Sequence, residues 1–125
     1  IFGDGLQTRS FCYINDQIEG IYKLLFSNYS LPVNIGNPNE ITIKDFAEEI
    51  INLTNTKQKI TYKPLPKDDP LQRQPNIALA KKILNWEPKI DRKEGMLKTF
   101  NYFRALTKEE LYKKEHKDFS KHIKR

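Results

Sequence analysis

The first 106 residues alternate between apolar positions at helical spacing and short runs that favour strands. The spacing predicts four helices, each preceded by a side chain whose oxygen can accept the free N–H groups of a first helical turn. The predicted caps are Asn15 or Asp16, then Thr42 with Asp45 as a capping box, then Asn76 before a short helix over 77–84, and Asp91. The apolar face of the first helix carries Ile18, Ile21, Tyr22, Leu24, Leu25 and Phe26.

Three short runs are typical of strands because they are rich in β-branched and aromatic residues: 11–14, 33–36 and 59–63. The segment 64–75 is polar, and its prolines exclude a regular helix. Trp86 is interpreted as a core residue behind the short helix. The pattern as a whole predicts a mixed α/β unit of short strands packed with about four helices.

The chain has 125 residues, which is the size of one ordinary domain. It begins with Ile1 and not with Met, so we expect it to be a piece of a longer protein. The single cysteine, Cys12, excludes an intramolecular disulfide and a multi-cysteine zinc site. No signal-peptide pattern and no apolar run long enough to cross a bilayer is present. These observations predict a cytoplasmic, reducing location, with Cys12 as a small buried apolar residue.

The composition changes near the end of the chain. The net charge is +6, and residues 107–125 hold seven Lys and Arg against four acidic residues. We therefore expect a folded lobe over 1–104 and a basic, helical or frayed tail over 105–125. A basic nucleic-acid-binding module is an alternative function of another class. The few aromatic residues and the four acids of the tail argue against it.

The sequence contains no self-sufficient catalytic centre. None of the six tyrosines is followed four residues later by lysine, and the five glycines form neither a Gly-x-Gly-x-x-Gly motif nor a P-loop. His116 and His122 have no acidic or cysteine partner at ligand spacing, so no metal site is predicted. The candidate chemistry is therefore the binding of a ligand.

Two arginines are the main binding candidates. Arg9 lies two residues before the start of the predicted strand 11–14, and Arg73 lies in the proline-containing segment. The planar guanidinium group binds phosphate through two parallel hydrogen bonds, so two arginines at one pocket would suit a diphosphate. The alternative is that each arginine pairs with a surface carboxylate.

The adjacent acids Asp68 and Asp69 leave three alternatives open: they accept hydrogen bonds from ribose or sugar hydroxyls, they bind a metal, or they form a solvated turn. Tyr13 is more typical of a core residue than of a ligand contact.

Four spaced motifs resemble one enzyme family. They are Gly-Asp-Gly-Leu-Gln-Thr-Arg-Ser-Phe-x-Tyr-Ile-x-Asp over 3–16, Val-Asn-Ile-Gly-Asn-Pro over 33–38, Asp-Asp-Pro-x-x-Arg-x-Pro over 68–75 and Leu-Asn-Trp-Glu-Pro over 84–88. Together they resemble the C-terminal, substrate-binding lobe of extended short-chain dehydrogenase/reductases that act on nucleotide sugars. The first and third motifs are most similar to the UDP-glucuronate decarboxylases, which form UDP-xylose. The resemblance covers about residues 1–104.

The resemblance implies a parent enzyme whose N-terminal Rossmann domain, absent here, binds NAD. In this family NAD oxidises C4 of the sugar, the resulting β-keto acid loses CO₂, and hydride returns to give UDP-xylose. The catalytic Tyr-x-x-x-Lys pair lies upstream in such enzymes, so the fragment alone is expected to be inactive. A nucleotide-sugar 4,6-dehydratase or 4-epimerase on the same scaffold is the nearest alternative.

The resemblance also implies roles for four residues. Arg9 and Arg73 correspond to arginines that hold the UDP-sugar diphosphate, and Arg9 to one with a proposed assisting role in proton transfer. Asp69 falls near an acidic position used toward the nucleotide, and Tyr13 matches an aromatic residue beside the site. The expected partners are a UDP-sugar and, in the longer protein, a second copy as a homodimer. No membrane or nucleic-acid partner is expected.

Overall fold

A computed structural model describes residues 1–110 of the chain. This part contains three short strands and four complete helices, which confirms the predicted α/β class. In chain order the elements are β1 (Thr8–Ser10), α1 (Ile14–Leu25), β2 (Glu40–Thr42), α2 (Ile43–Thr54), β3 (Gln72–Arg73), α3 (Ala78–Leu84) and α4 (Arg92–Ala105). Residues 111–125, which form most of the predicted tail 105–125, lie outside the described residues.

The three strands form one small sheet in the order β2-β1-β3. Strand β2 runs antiparallel to β1, with Ser10 opposite Glu40. Strand β3 runs parallel to β1, with Arg9 opposite Arg73. The sheet therefore joins residues that are far apart in the sequence.

The predicted strands are wrong in position or extent. The first strand ends at Ser10, before the predicted run 11–14, which leads into α1. Residues 33–36 form no strand within the described part of the chain, and only Lys63 of the run 59–63 pairs, in a single parallel bridge to Phe2. A strand is defined by its hydrogen-bonded neighbour, and an apolar run does not specify that neighbour.

Trp86 forms the centre of the buried core, as predicted. Its side chain is 2% exposed and packs with Ile77, Ala80 and Leu84 of the α3 region. The indole N–H donates a hydrogen bond of 3.0 Å to the backbone oxygen of Asp16. This bond satisfies the buried polar atom of the tryptophan and joins α1 to the segment after α3.

Helix α1 approaches this core closely because residue 20 is glycine. A Cβ atom at Gly20 would lie 2.4 Å from Ile35 Cγ2 and 3.0 Å from Trp86 Cε2. Any side chain there would displace the core, since packed interiors tolerate little added volume.

Two of the predicted helix caps, Thr42 and Asp91, are confirmed. The N–H of Asp45 donates to Thr42 Oγ1 at 3.0 Å, and the N–H of Lys93 donates to Asp91 Oδ1 at 2.8 Å. The predicted cap of α3 is displaced by one residue: the cap is Ile77, whose side chain makes no capping bond, although Asn76 Oδ1 accepts the N–H of Ala78 at 3.0 Å.

The predicted cap of α1 is wrong. The helix begins at Ile14 behind Tyr13, whose side chain makes no capping bond. Asp16 lies inside the first turn and is buried. Its Oδ2 accepts the backbone N–H groups of Lys89 and Ile90, at 3.1 and 2.8 Å. The carboxylate is thus used for a long-range tertiary contact in place of the local cap.

Much of the predicted apolar face of α1 is uncovered. Ile18, Ile21 and Leu25 are each more than half exposed, although Leu24 packs against the core. No helix of the described residues is long and apolar enough to cross a membrane.

Candidate functional site

An open cleft of about 700 Å³ lies beside the small sheet. Its wall combines the end of β1 with the segment around β3 and with the turn after residue 35. The polar residues that line it are Arg9, Ser10, Gln17, Asn37, Arg73 and Gln74. The cleft is therefore the place where the two candidate arginines meet.

Strand register explains why Arg9 and Arg73 share this cleft. The two residues are Cα partners on the adjacent parallel strands β1 and β3. Side chains directly opposite one another on neighbouring strands leave the same face of a sheet. The two guanidinium groups consequently start from neighbouring positions on one face, as a diphosphate site requires.

The guanidinium group of Arg9 is already held within the chain. Its Nη2 donates to Asp69 Oδ1 at 2.6 Å, and its Nη1 donates to the backbone oxygen of Thr8 at 2.7 Å. The side chain of Arg9 is 17% exposed. The sequence left two alternatives for each arginine, a phosphate contact or an ion pair with a carboxylate. Arg9 does form the ion pair. Arginine has five N–H donors, so these two bonds leave others for a ligand.

Arg73 is more accessible. It is exposed in a strand of two residues, and its guanidinium group forms no ion pair with another residue of the part of the chain that is described. Its backbone oxygen accepts a hydrogen bond of 3.1 Å from the hydroxyl of Ser10. The backbone of Arg73 is therefore tied to β1 while its charge faces open space.

Asp69 faces Arg9 and does not line the cleft. Its expected contact with a nucleotide stays a prediction. The neighbouring Asp68 is exposed. Among residues 1–110 no three His, Cys, Asp or Glu side chains are grouped to hold a metal ion.

Tyr13 lies outside the cleft as well, in a second cavity that we call the apolar groove. The groove measures about 430 Å³ and runs between α2 and α4. Tyr13 packs closely on Gly95 of α4, and the Lys98 ammonium lies 5.6 Å from the centre of its ring. The proposed substrate contact of Tyr13 stays a prediction that the cleft geometry does not support.

The walls of the apolar groove are aromatic and aliphatic. The rings of Phe11 and Phe46 stack with their centres 4.0 Å apart, and an ion pair between Arg92 and Glu49 joins α4 to α2. Cys12 also lines the groove, and burial raises the pKa of its thiol, with a smaller contribution from the Asp16 carboxylate. The thiol is partly exposed and not fully buried, in contrast to the prediction.

Sequence reasoning missed Asn37 and Gln74 on the cleft wall. Asn37 is buried, and its Oδ1 accepts the N–H of Asn39 at 2.9 Å. The side chain of Gln74 donates to the backbone oxygen of Pro38 at 2.9 Å. The Asn-Pro pair signalled a turn, but nothing local indicated that this turn forms a wall of the cleft.

Comparison with known proteins gives closely related sequences, although no family model matches the chain. The chain is 45% identical over 103 residues to UDP-glucuronic acid decarboxylase 1 of Danio rerio, covering 82% of the chain and 25% of that protein. It is also 45% identical over 92 residues to UDP-glucuronic acid decarboxylase 3 of Arabidopsis thaliana, covering 74% and 27%. The chain spans about a quarter of the length of these curated relatives. They confirm the resemblance seen in the motifs.

Solved structures give the same fold. UDP-glucose 4-epimerase of Thermotoga maritima, in complex with UDP-glucose, matches with a TM-score of 0.78 and 30% identity, over 83% of this chain and 34% of that one. UDP-glucuronic acid 4-epimerase of Bacillus cereus, in complex with UDP-glucuronic acid and NAD, matches with a TM-score of 0.75 and 26% identity, over 86% and 35%.

The ion pair between Arg9 and Asp69 gives a stability prediction. Replacing Asp69 with Asn should lower the free energy of unfolding by about 1 kcal/mol, because a short, partly shielded, charge-assisted hydrogen bond is weakened. Urea unfolding measures the change. The matched control is Asp68→Asn, which removes the same charge from an exposed neighbour and should have little effect.

In an Arg9→Leu background the Asp69→Asn change should lower the free energy of unfolding much less, because the guanidinium partner of Asp69 has been removed. Equal costs with and without the arginine would contradict an energetic link between the two side chains.

Proposed function

We propose that the chain is the C-terminal, substrate-binding part of an NAD-dependent UDP-glucuronate decarboxylase. Over four-fifths of its length it is related to UDP-glucuronic acid decarboxylases. It also shares its fold with UDP-sugar epimerases of the extended short-chain dehydrogenase/reductase family. The reaction converts UDP-glucuronate to UDP-xylose and CO₂. The pairing of Arg9 with Arg73 on adjacent strands is the observation that carries the proposal.

The proposed role of the described residues is to hold the diphosphate. Arg73 offers an exposed guanidinium group, and Arg9 offers the N–H donors that its two internal bonds leave over. A dianionic group between the two arginines would accept charge-assisted hydrogen bonds from both, and such bonds are stronger than those between neutral groups. The bonds that Arg9 donates to the Thr8 oxygen and to Asp69 fix its orientation before a ligand arrives, which lowers the entropy lost on binding.

NAD would take a hydride from C4 of the sugar and later return it, and it would be held by the remaining part of the longer protein. The sequence described above has neither the glycine-rich turn nor the Tyr-x-x-x-Lys pair for that task. This chain would contribute binding energy from a remote part of the substrate, and enzymes use such energy to orient the reacting group. We expect the isolated chain to bind and not to turn over substrate.

A 4-epimerase or 4,6-dehydratase is the second candidate, favoured by the structural neighbours that act as UDP-sugar 4-epimerases. The cleft residues do not separate these reactions, since all of them share a nucleotide diphosphate. Decarboxylation is preferred because the related sequences at 45% identity are decarboxylases. A homodimer of the longer protein and a cytoplasmic location stay predictions.

The longer protein, supplied with NAD and UDP-glucuronate, should release CO₂ and form UDP-xylose. Mass spectrometry of the nucleotide sugars measures the product, since loss of CO₂ lowers the mass and epimerisation leaves it unchanged. UDP-galacturonate as the only product would replace the proposal with the epimerase alternative.

Arg9→Ala and Arg73→Ala should each weaken UDP binding by about 1–3 kcal/mol, the usual value of a hydrogen bond to a charged group. Titration calorimetry on the 125-residue chain measures the affinity. Lys67→Ala is the matched control, because it removes the same charge from an exposed position of the same segment away from the cleft. Unchanged affinity in both arginine variants would mean that the diphosphate binds elsewhere.

Uncovered apolar surface also fits a chain that is part of a larger enzyme. The face of α1 exposes large apolar side chains, and the groove between α2 and α4 is lined mainly by apolar ones, and such exposed patches mark surfaces that a partner covers. We propose that the remaining three-quarters of the longer protein cover these surfaces. The isolated chain would then be only marginally stable.

Cys12 lines both the groove and the cleft, so its accessibility reports on whether this side of the chain is covered. Its labelling by iodoacetamide should be slower in the longer protein than in the 125-residue chain, as followed by mass spectrometry of the Cys12 peptide. Since burial raises the pKa of the thiol, labelling of the chain should rise with pH as the thiolate forms. Equal rates in urea serve as the control, and equal native rates would contradict a covered groove.

A further inference from the structure

Strand β3 has little apolar burial to hold it in place. It consists of two exposed residues at the edge of the sheet, within a polar segment, and the preceding Leu71 is 71% exposed. Just before β3, the Leu71 oxygen accepts a hydrogen bond of 2.9 Å from the backbone N–H of Thr8 in β1. Two-residue strands are marginal by themselves, so other contacts must fix the position of Arg73.

One carboxylate joins all three strands. Glu40 belongs to β2, and its Oε1 accepts the hydroxyl of Thr8 on β1 at 2.6 Å. Its Oε2 accepts the side-chain amide of Gln72 on β3 at 2.8 Å. Thr8 and Gln72 are themselves Cα partners in the parallel pairing. Both oxygens of Glu40 therefore act on the same pair of opposed residues.

This contact is separate from the cleft. Thr8 and Gln72 directly precede Arg9 and Arg73 in their strands, and neither of them lines the cleft. Glu40 is not among the residues that line the cleft. Its hydrogen bonds are made to residues that do not line the cleft and that lie one position away from each arginine.

We propose that Glu40 is a positioning residue, whose carboxylate holds β3 beside β1 in the register that brings Arg9 and Arg73 to one cleft. It supports anion binding without touching the anion. The inference rests on the proposed function for the identity of that anion, but the fixing of the register is independent of it.

Hydrogen exchange of the Thr8 amide tests the register, because this N–H is bonded to Leu71 of the β3 segment. Glu40→Ala should speed its exchange about tenfold, the effect of losing roughly one charge-assisted hydrogen bond. The amide of Lys81, bonded inside the core helix region, should be unaffected. Glu48→Ala removes the same charge from an exposed position on α2 and should change neither amide.

A swap of the two partners provides a rescue. In the double variant Glu40→Gln with Gln72→Glu, the hydroxyl of Thr8 can still donate to residue 40, and the amide at 40 can donate to the carboxylate at 72. Slow exchange at Thr8 should return. Fast exchange in the double variant, or unchanged exchange in Glu40→Ala, would overturn the inference.

Binding of UDP, measured by calorimetry, tests the consequence for the cleft. Glu40→Ala should lower the affinity about tenfold, the swap should restore it, and Glu48→Ala should leave it unchanged. Unaltered affinity despite fast exchange would overturn the positioning role. If the unsubstituted chain binds no UDP, the proposed ligand is wrong, and the exchange comparison still decides whether Glu40 holds the register.

Discussion

The parallel pairing of β1 with β3 is the contact on which the cleft depends. It is short, but it joins the first tenth of the chain to a segment more than sixty residues later, and it sets Arg9 directly opposite Arg73. Two like charges side by side are unfavourable unless an anion lies between or near them. The Asp69 carboxylate meets this requirement for Arg9 within the chain. Arg73 has no such partner among the described residues, which makes its side of the cleft the more open to a ligand.

The core and the cleft are built from different kinds of contact. Around Trp86 the chain buries apolar side chains and satisfies the single indole N–H with a backbone oxygen. At the small sheet, hydrogen bonds donated by the side chains of Ser10 and Gln74 and accepted by Glu40 replace apolar burial. Asp16 links the two regions, since it lies in the helix that follows β1 and accepts N–H groups from the segment after Trp86.

Features that depend on neighbouring residues were predictable from the sequence. The caps at Thr42 and Asp91 need only a side-chain oxygen and the next turn, and both predictions are confirmed. Asp16 failed as a predicted cap because its carboxylate is buried against residues more than seventy positions away, a contact without a local signature. The strand at 33–36 failed because the apolar pattern does not specify a hydrogen-bonded partner.

Residues of the candidate site could be predicted from the sequence only where they belong to a recognisable motif. Arg9 and Arg73 were singled out by residue type and by resemblance, and the register that joins them was not foreseen. The placement of Tyr13 in the groove follows from its packing on Gly95, which spacing along the chain does not reveal. Glu40 gave no signal, because a diagonal contact across three strands exists only once the strands are aligned.

The weak apolar anchoring of β3 has a consequence for how the cleft responds to heat and denaturant. A sheet edge held by a few polar contacts opens at a lower free energy than the region around Trp86. On heating or in denaturant the sheet edge therefore opens first and the core opens later. An anion that bridges both arginines binds only the closed edge, and its affinity is reduced by the fraction of molecules in which that edge is open. A higher ligand concentration therefore increases the fraction of molecules in which β3 is paired with β1, while the core around Trp86 is unaffected.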